Sequence, residues 1–217
     1  MSSIDSRPPS TELEGEMQTD YLADLDGLIE ECGSLHGHIC PGQVLGVRMA
    51  VHGCQLTRIE DPRGLERKKL FVWVEIDRCV TDAITAVTGV RLGRRSLKFL
   101  DYGKVAATFL NIEENLAYRI VSKEESRELA DRLYPAIEDK KERQMLTYRN
   151  ADVPLLFKVE SVRLELDEFE MPGRPRRRII CEQCGEGVND GRDLSDGLNR
   201  RVCHSCAFGS YYSPSIC

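Results

Sequence analysis

The chain has 217 residues, 41% hydrophobic and 30% charged, a balance that fits a soluble globular protein with one sizeable core and room for a small appended module. The formal net charge of −6 is unevenly divided: from Pro172 onward seven Arg and no Lys stand against five acidic residues. The acidic bulk is therefore a poor nucleic-acid partner and the basic tail only a mild one. No apolar run approaches the roughly 18 residues that span a bilayer, and residues 1–20 lack the apolar middle of a secretory signal, so no membrane partner and a cytoplasmic location are expected.

Residues 1–19 are polar, with a proline pair and no periodicity, and read as a disordered tail. Tyr21, Leu22, Leu25, Leu28 and Ile29 have helical spacing, with Cys32-Gly33 as the predicted stop. His36-Gly37-His38-Ile39-Cys40 follows, and Pro41 suits the first turn of a second helix running to about Leu56. Cys40 then sits at a helix N-terminus, where free N–H groups and the macrodipole favour a thiolate.

Leu70 to Ile76 is β-branched and aromatic, a predicted central strand. Asp77 is the expected N-cap of a third helix, Arg78 to Thr88, closed by Gly89. Cys79 thereby falls in a second helix's first turn. Short strands are predicted at 97–100 and 105–111 around the turn Asp101-Tyr102-Gly103-Lys104, and another at 116–121. Ser122 with Glu125 reads as a capping box opening a helix to about Leu133. Pro135 breaks it, a second helical piece runs to about Arg149, and residues 155–166 alternate as a strand should.

Acid gives way to base across Pro172-Gly173, a linker signature. The expected organisation is an α+β core at 20–170, with helices packed on a mixed β-sheet, a linker at 171–178 and a small zinc-finger domain at 179–217.

Two sets of residues carry chemistry. Cys181-x-x-Cys184 and Cys203-x-x-Cys206 make two knuckles, the spacing of a closed tetrahedral Zn2+ site with no open position. A module this small needs such a staple. His204 is an alternative ligand there, and Cys217 reads as a bystander. In the core, His38, Cys40 and Cys79 offer three ligands for a second metal ion and leave a position open; His36 is an alternative ligand or a partner that orients the first. The competing reading is a loop histidine pair beside two buried cysteines. Cys40 is also the candidate catalytic nucleophile. Cys32 and Cys54 read as core, His52 as packed or surface, and Asp82 as a cap or a support for the metal ligands. The Arg174, Arg176, Arg177 and Arg178 tetrad reads as a solvated linker, with phosphate contact as the alternative.

The box HGHICPGQVLGVRMA at 36–50, the segment DRCVTDAITAVTGVRLGRRSLKFLDYGKVAATF at 77–109 and the paired Cys-x-x-Cys tail together resemble the formylmethanofuran dehydrogenase E-subunit family. That resemblance implies an α+β core similar to the catalytic-domain architecture of glyceraldehyde-3-phosphate dehydrogenase, a homodimer, and a cleft around His38, Cys40 and Cys79. The finger resembles those of the DksA/TraR kind, which bind proteins of the transcription machinery. No motif here is assignable to the pterin or iron–sulfur cofactors of the enzyme that gives the family its name, nor is there an iron–sulfur cysteine run. The expected function is therefore a metal-binding protein accessory to, or regulatory for, molybdenum or tungsten metabolism. A regulator binding protein or nucleic acid through the finger is the first alternative, and an enzyme using Cys40 or a core metal the second.

Overall fold

The computed structural model describes residues 21–213 and 215; the expected tail at 1–19 and Cys217 lie outside them. One turn of 3-10 helix, Tyr21–Ala23, leads into α1 (Leu25–His36) and α2 (Pro41–Leu56). Then come β1 (Leu70–Val74), α3 (Cys79–Thr88), β2 (Leu97–Phe99), β3 (Ala106–Asn111) and β4 (Leu116–Ser122). The core continues with α4 (Glu125–Leu133), α5 (Lys140–Asn150), the single turn α6 (Val153–Leu156) and β5 (Phe157–Ser161). The sheet order is β2-β1-β3-β4-β5, with β1 and β2 parallel and the other pairs antiparallel. This is the expected α+β fold. No helix among the described residues is long and apolar enough to cross a membrane.

The main core lies between the helices and one sheet face. Leu70, Val72 and Val74 alternate toward it from β1 and meet Val44, Val47 and Met49 of α2 and Ile84 and Val87 of α3. Burying each such side chain contributes about 1.5–3 kcal/mol. Gly46 is what lets α2 and α3 touch: a β-carbon there would stand 2.7 Å from Ala83 Cβ and 2.8 Å from the Val80 carbonyl. The starts of the two helices are thereby held side by side. Arg48, half-buried on α2, donates to the carbonyls of Tyr148 (2.9 Å) and Ala151 (2.8 Å), and so ties the end of α5 to the same helix.

Four local expectations are corrected. The first helix runs past Cys32-Gly33 to His36, where Gly37 adopts the left-handed conformation (φ 93°) and bonds back to the Gly33 carbonyl. Gly33 serves packing instead, since the Ile39 side chain fills the space its β-carbon would need. The residue capping α3 is Arg78 in place of Asp77, and no side chain bonds the helix start. Ser122 belongs to β4 and makes no capping box; Glu124 precedes α4. The alternating stretch from Leu155 forms ladder bonds only over Phe157–Ser161. Beyond it Val162, Leu164 and Leu166 keep the alternation by packing on the outer sheet face against Phe71, Leu110 and Ala117.

The segment 101–104 also differs from a hairpin turn. β2 and β3 flank β1 on opposite sides, so Asp101–Lys104 crosses over the end of β1. The backbone N–H groups of Tyr102 and Lys104 both donate to the Glu75 carbonyl (3.2 and 3.1 Å). The buried Glu75 carboxylate is held by Arg119 through two bonds of 2.7 and 2.8 Å. A bidentate pair of this kind fixes the crossing loop.

The C-terminal module has β6 (Arg178–Ile180) paired with β7 (Gly187–Asn189), β8 (Leu194–Ser195) paired with β9 (Arg201–Val202), and the short helix α7 (His204–Phe208). It is tied to the core through Arg95, a non-glycine residue in the left-handed region (φ 61°) whose guanidinium bonds Asp190 at 2.6 Å and the Phe169 carbonyl. Lys98 adds a bond to the Glu170 carbonyl at 2.8 Å. Two of the linker arginines are likewise tied down. Arg177 pairs with the buried Asp193, and the Arg176 N–H donates to Asp190 at 2.9 Å.

Candidate metal centres

The four finger cysteines converge as their spacing predicts: one sulfur from each of Cys181, Cys184, Cys203 and Cys206 lies within 4.8 Å of every other. Cys184 and Cys203 sulfurs are 3.9 Å apart, and the Cys203 N–H donates to the Cys181 sulfur at 3.3 Å. Backbone donation from Cys184, helped by Cys203 and Gln183, pulls the Cys181 thiol down to about 6. Burial and the neighbouring thiols push Cys206 up to about 12. Cys181 is thus shifted toward the thiolate and Cys206 away from it, and a bound cation would favour the thiolate at both. Four soft donors in this spacing fit zinc and close its coordination. His204 opens α7 with its ring against Phe208 (5.6 Å between centroids), apart from the four-sulfur cluster.

The core centre is built at the junction of α1 and α2. His36 is the last residue of α1, His38 lies in the four-residue connection, and Cys40 precedes Pro41 in extended conformation (φ −137°, ψ 162°). One ligand atom from each of His36, His38 and Cys40 lies within 4.8 Å of the others. The two imidazole centroids are 5.0 Å apart. A tetrahedral ion with bonds to nitrogen and sulfur sets its donors about 3.3–3.8 Å apart, so a small contraction suffices.

His36 Nδ1 is 2.9 Å from Asp82 Oδ2. Asp82 lies one turn into α3, and the contact leaves the other imidazole nitrogen free for an ion. Asp82 thus contacts His36, the alternative ligand in the sequence reading.

Cys79 is the first residue of α3 and stands beside Cys40. A β-carbon on Gly42 would be 3.8 Å from the Cys40 sulfur and 4.0 Å from the Cys79 sulfur. Burial, then the Cys40 thiol, raises the Cys79 thiol above its usual range. Cys79 belongs with Cys40, then, but not to the cluster formed with the histidines. It faces a cleft of about 450 Å³ whose walls include Gly42, Arg78, Lys104 and Tyr148. The crossing loop held by Glu75 places Lys104 there, while Tyr102 is not part of the wall.

The remaining candidates have plain roles. Cys32 and Cys54 are buried in the core, where desolvation pushes their thiols up to about 11 and about 12. His52 is half-buried, and desolvation lowers its pKa. Glu75, Arg119, Arg48 and Arg95 escaped sequence reasoning, because their partners lie far along the chain.

A curated relative from Archaeoglobus fulgidus, described as a probable S-adenosyl-L-methionine-binding protein, is 33% identical over 214 residues. The match covers 87% of this chain and 54% of that protein, so the chain spans about half the length of the relative. The crystal structure of a tungsten formylmethanofuran dehydrogenase FmdE-like protein from Syntrophus aciditrophicus shares the fold, with a TM-score of 0.57 at 21% identity over 87% of this chain and 95% of that one. The family model for FmdE, described by the molybdenum formylmethanofuran dehydrogenase operon, matches residues 35–162, which contain the whole core cluster and the whole five-stranded sheet. More than half of the sequence fits that model, and the chain belongs to the FmdE family.

Proposed function

We propose that this protein binds a metal ion at an open core centre and serves molybdenum or tungsten metabolism as an accessory or regulatory factor, with a structural zinc ion in its finger. The observation that carries the reading is the convergence of His36, His38 and Cys40, with His36 held by Asp82 and Cys40 followed by Pro41 and Gly42 in the wall of a cleft. Three protein donors leave a coordination position for a ligand, and a bound ion there supplies Lewis acidity. Around it Asp82 orients the His36 ring, Cys79 offers a further thiol, and Lys104 and Arg78 bring positive charge to the cleft wall. The family resemblance supports a homodimer.

Metal analysis of protein purified without added metal, followed by chelation and back-titration, tests this. The expected result is two equivalents of zinc, or one zinc and one nickel, per chain. A core centre that neither ion occupies overturns the reading.

A second reading has its own support. Phe208 and Tyr211 on the finger are 78% and 99% exposed, apolar surface that suits a protein partner. In this reading the finger is an adaptor. Pull-down of a defined partner that is lost in Phe208→Ser with zinc retained is its expected signature.

A further inference from the structure

A second cavity, of about 500 Å³, lies away from both cysteine centres, where the outer sheet face meets the start of the linker. That volume is in the range of small-molecule sites. Its apolar walls include Phe71, Ile112 and Met171, members of the outer hydrophobic cluster. Its rim is basic: Arg67 and Lys68 come from the turn before β1, and Arg94 from the single helical turn Leu92–Arg94. No acidic side chain lines it.

Two further cations, Lys69 nearby and Arg95 in the cavity wall, are already neutralised. Lys69 pairs with Glu66 and Glu113, and Arg95 with Asp190. Arg67, Lys68 and Arg94 form no ion pair among the described residues. Three cations without an ion-pair partner among the described residues line one apolar hollow, and an anion with an apolar body complements both features. The charges approach from two separate segments, which suits a group with three terminal oxygens better than a two-oxygen carboxylate, and guanidinium groups match phosphate oxygens in geometry. The hollow also has the wrong shape for a nucleic-acid backbone, being a bounded pocket and not an extended basic track.

We propose that this cavity is a binding site for an organic phosphate monoester, its apolar body against Phe71, Ile112 and Met171 and its phosphate held by Arg67, Lys68 and Arg94. The site is independent of the metal centres and of the function assigned to them.

Isothermal titration of the full, zinc-loaded chain with 1-naphthyl phosphate tests it. The expected result is saturable binding at one site per chain, with 1-naphthol and inorganic phosphate each at least about tenfold weaker, because each supplies half of the recognition. The double variant Arg67→Ala/Arg94→Ala, both side chains exposed, is expected to weaken binding at least about tenfold while metal content and circular dichroism stay unchanged. Absence of saturable binding overturns the proposal, as does undiminished binding in the double variant. So does loss of binding in Arg78→Ala/Lys104→Ala instead, which would assign the probe to the cleft beside Cys79. Displacement of the probe by a hexaglutamate peptide at equal affinity also overturns it, in favour of an acidic protein partner.

Discussion

The finger and the core each gather cysteine near the start of a helix, yet they do so for opposite ends. In the finger four sulfurs close around one point, and the surrounding structure is two short strand pairs and one helix of five residues. An ion bound there would replace the core that so small a module cannot build. In the core domain the order is reversed. A large apolar interior holds α2 and α3, with Gly46 allowing their contact, and the His36, His38 and Cys40 cluster is carried on that scaffold. The contrast teaches that a metal site's role follows from what holds its ligands. Ligands that hold the fold make a structural site, and ligands held by the fold are free to leave a position open.

The comparison breaks most visibly when the finger loses its ion. Cys181→Ser, or chelation, is expected to unfold the finger outright, since structural zinc in such modules contributes about 10–16 kcal/mol of binding free energy. Limited proteolysis is then expected to remove residues beyond about 178 and leave the core resistant. A core that melts together with the finger would sink the claim that the two fold on separate principles.

The converse change is Cys40→Ser. It is expected to lower core metal affinity at least about a hundredfold, about 2.7 kcal/mol, while the thermal midpoint of the apo core moves little. Competition with a chromophoric chelator reads the first quantity and scanning calorimetry the second. Asp82→Asn sharpens the comparison further. Its side chain is exposed, so stability is expected to be unchanged, but loss of the charge orienting His36 is expected to weaken core metal about tenfold. Equal affinity in the variant would remove Asp82 from the centre.

Acidification gives the smallest and most graded difference. Cys181 has a folded pKa lowered to about 6, so its contribution to finger stability is complete above the unfolded thiol value and is lost as pH falls through about 6. Cys79 is shifted the other way, above its usual range, but stands outside the cluster of His36, His38 and Cys40. On lowering the pH, metal is expected to leave the three-donor core before the four-thiolate finger, as a two-step release in a dye-monitored titration. A single step, or the finger emptying first, would count against the assignment.

How much of this was legible beforehand depended on range along the chain. Pro41 marked the start of α2, the β-branched and aromatic run at 70–74 marked β1, an interior strand though not the central one, and the two Cys-x-x-Cys pairs marked the finger, because each signal lies within a few residues of what it determines. The end of α1 was misread because Gly33 answers to the Ile39 side chain, a contact that no local pattern displays. The strand partner of β2, the Glu75–Arg119 pair and the Arg95–Asp190 tie depend on residues 25 to 95 positions apart and on strand order. The core centre fell between these cases. His38 and Cys40 were legible from their spacing. The promotion of His36 over Cys79 into the three-residue cluster required knowing that α1 extends to His36 and that Asp82 faces it.

Everything proposed for the core rests on its cluster being an open centre with mixed donors, distinct from the finger's closed four-sulfur site. X-ray absorption at the metal edge measures this on a Cys181→Ser/Cys184→Ser protein reloaded with one equivalent of zinc, so that only the core is filled. The expected spectrum has a first shell of two imidazole nitrogens, one sulfur and at least one light atom from solvent. A shell of sulfur alone, or a protein that retains no zinc, would contradict it.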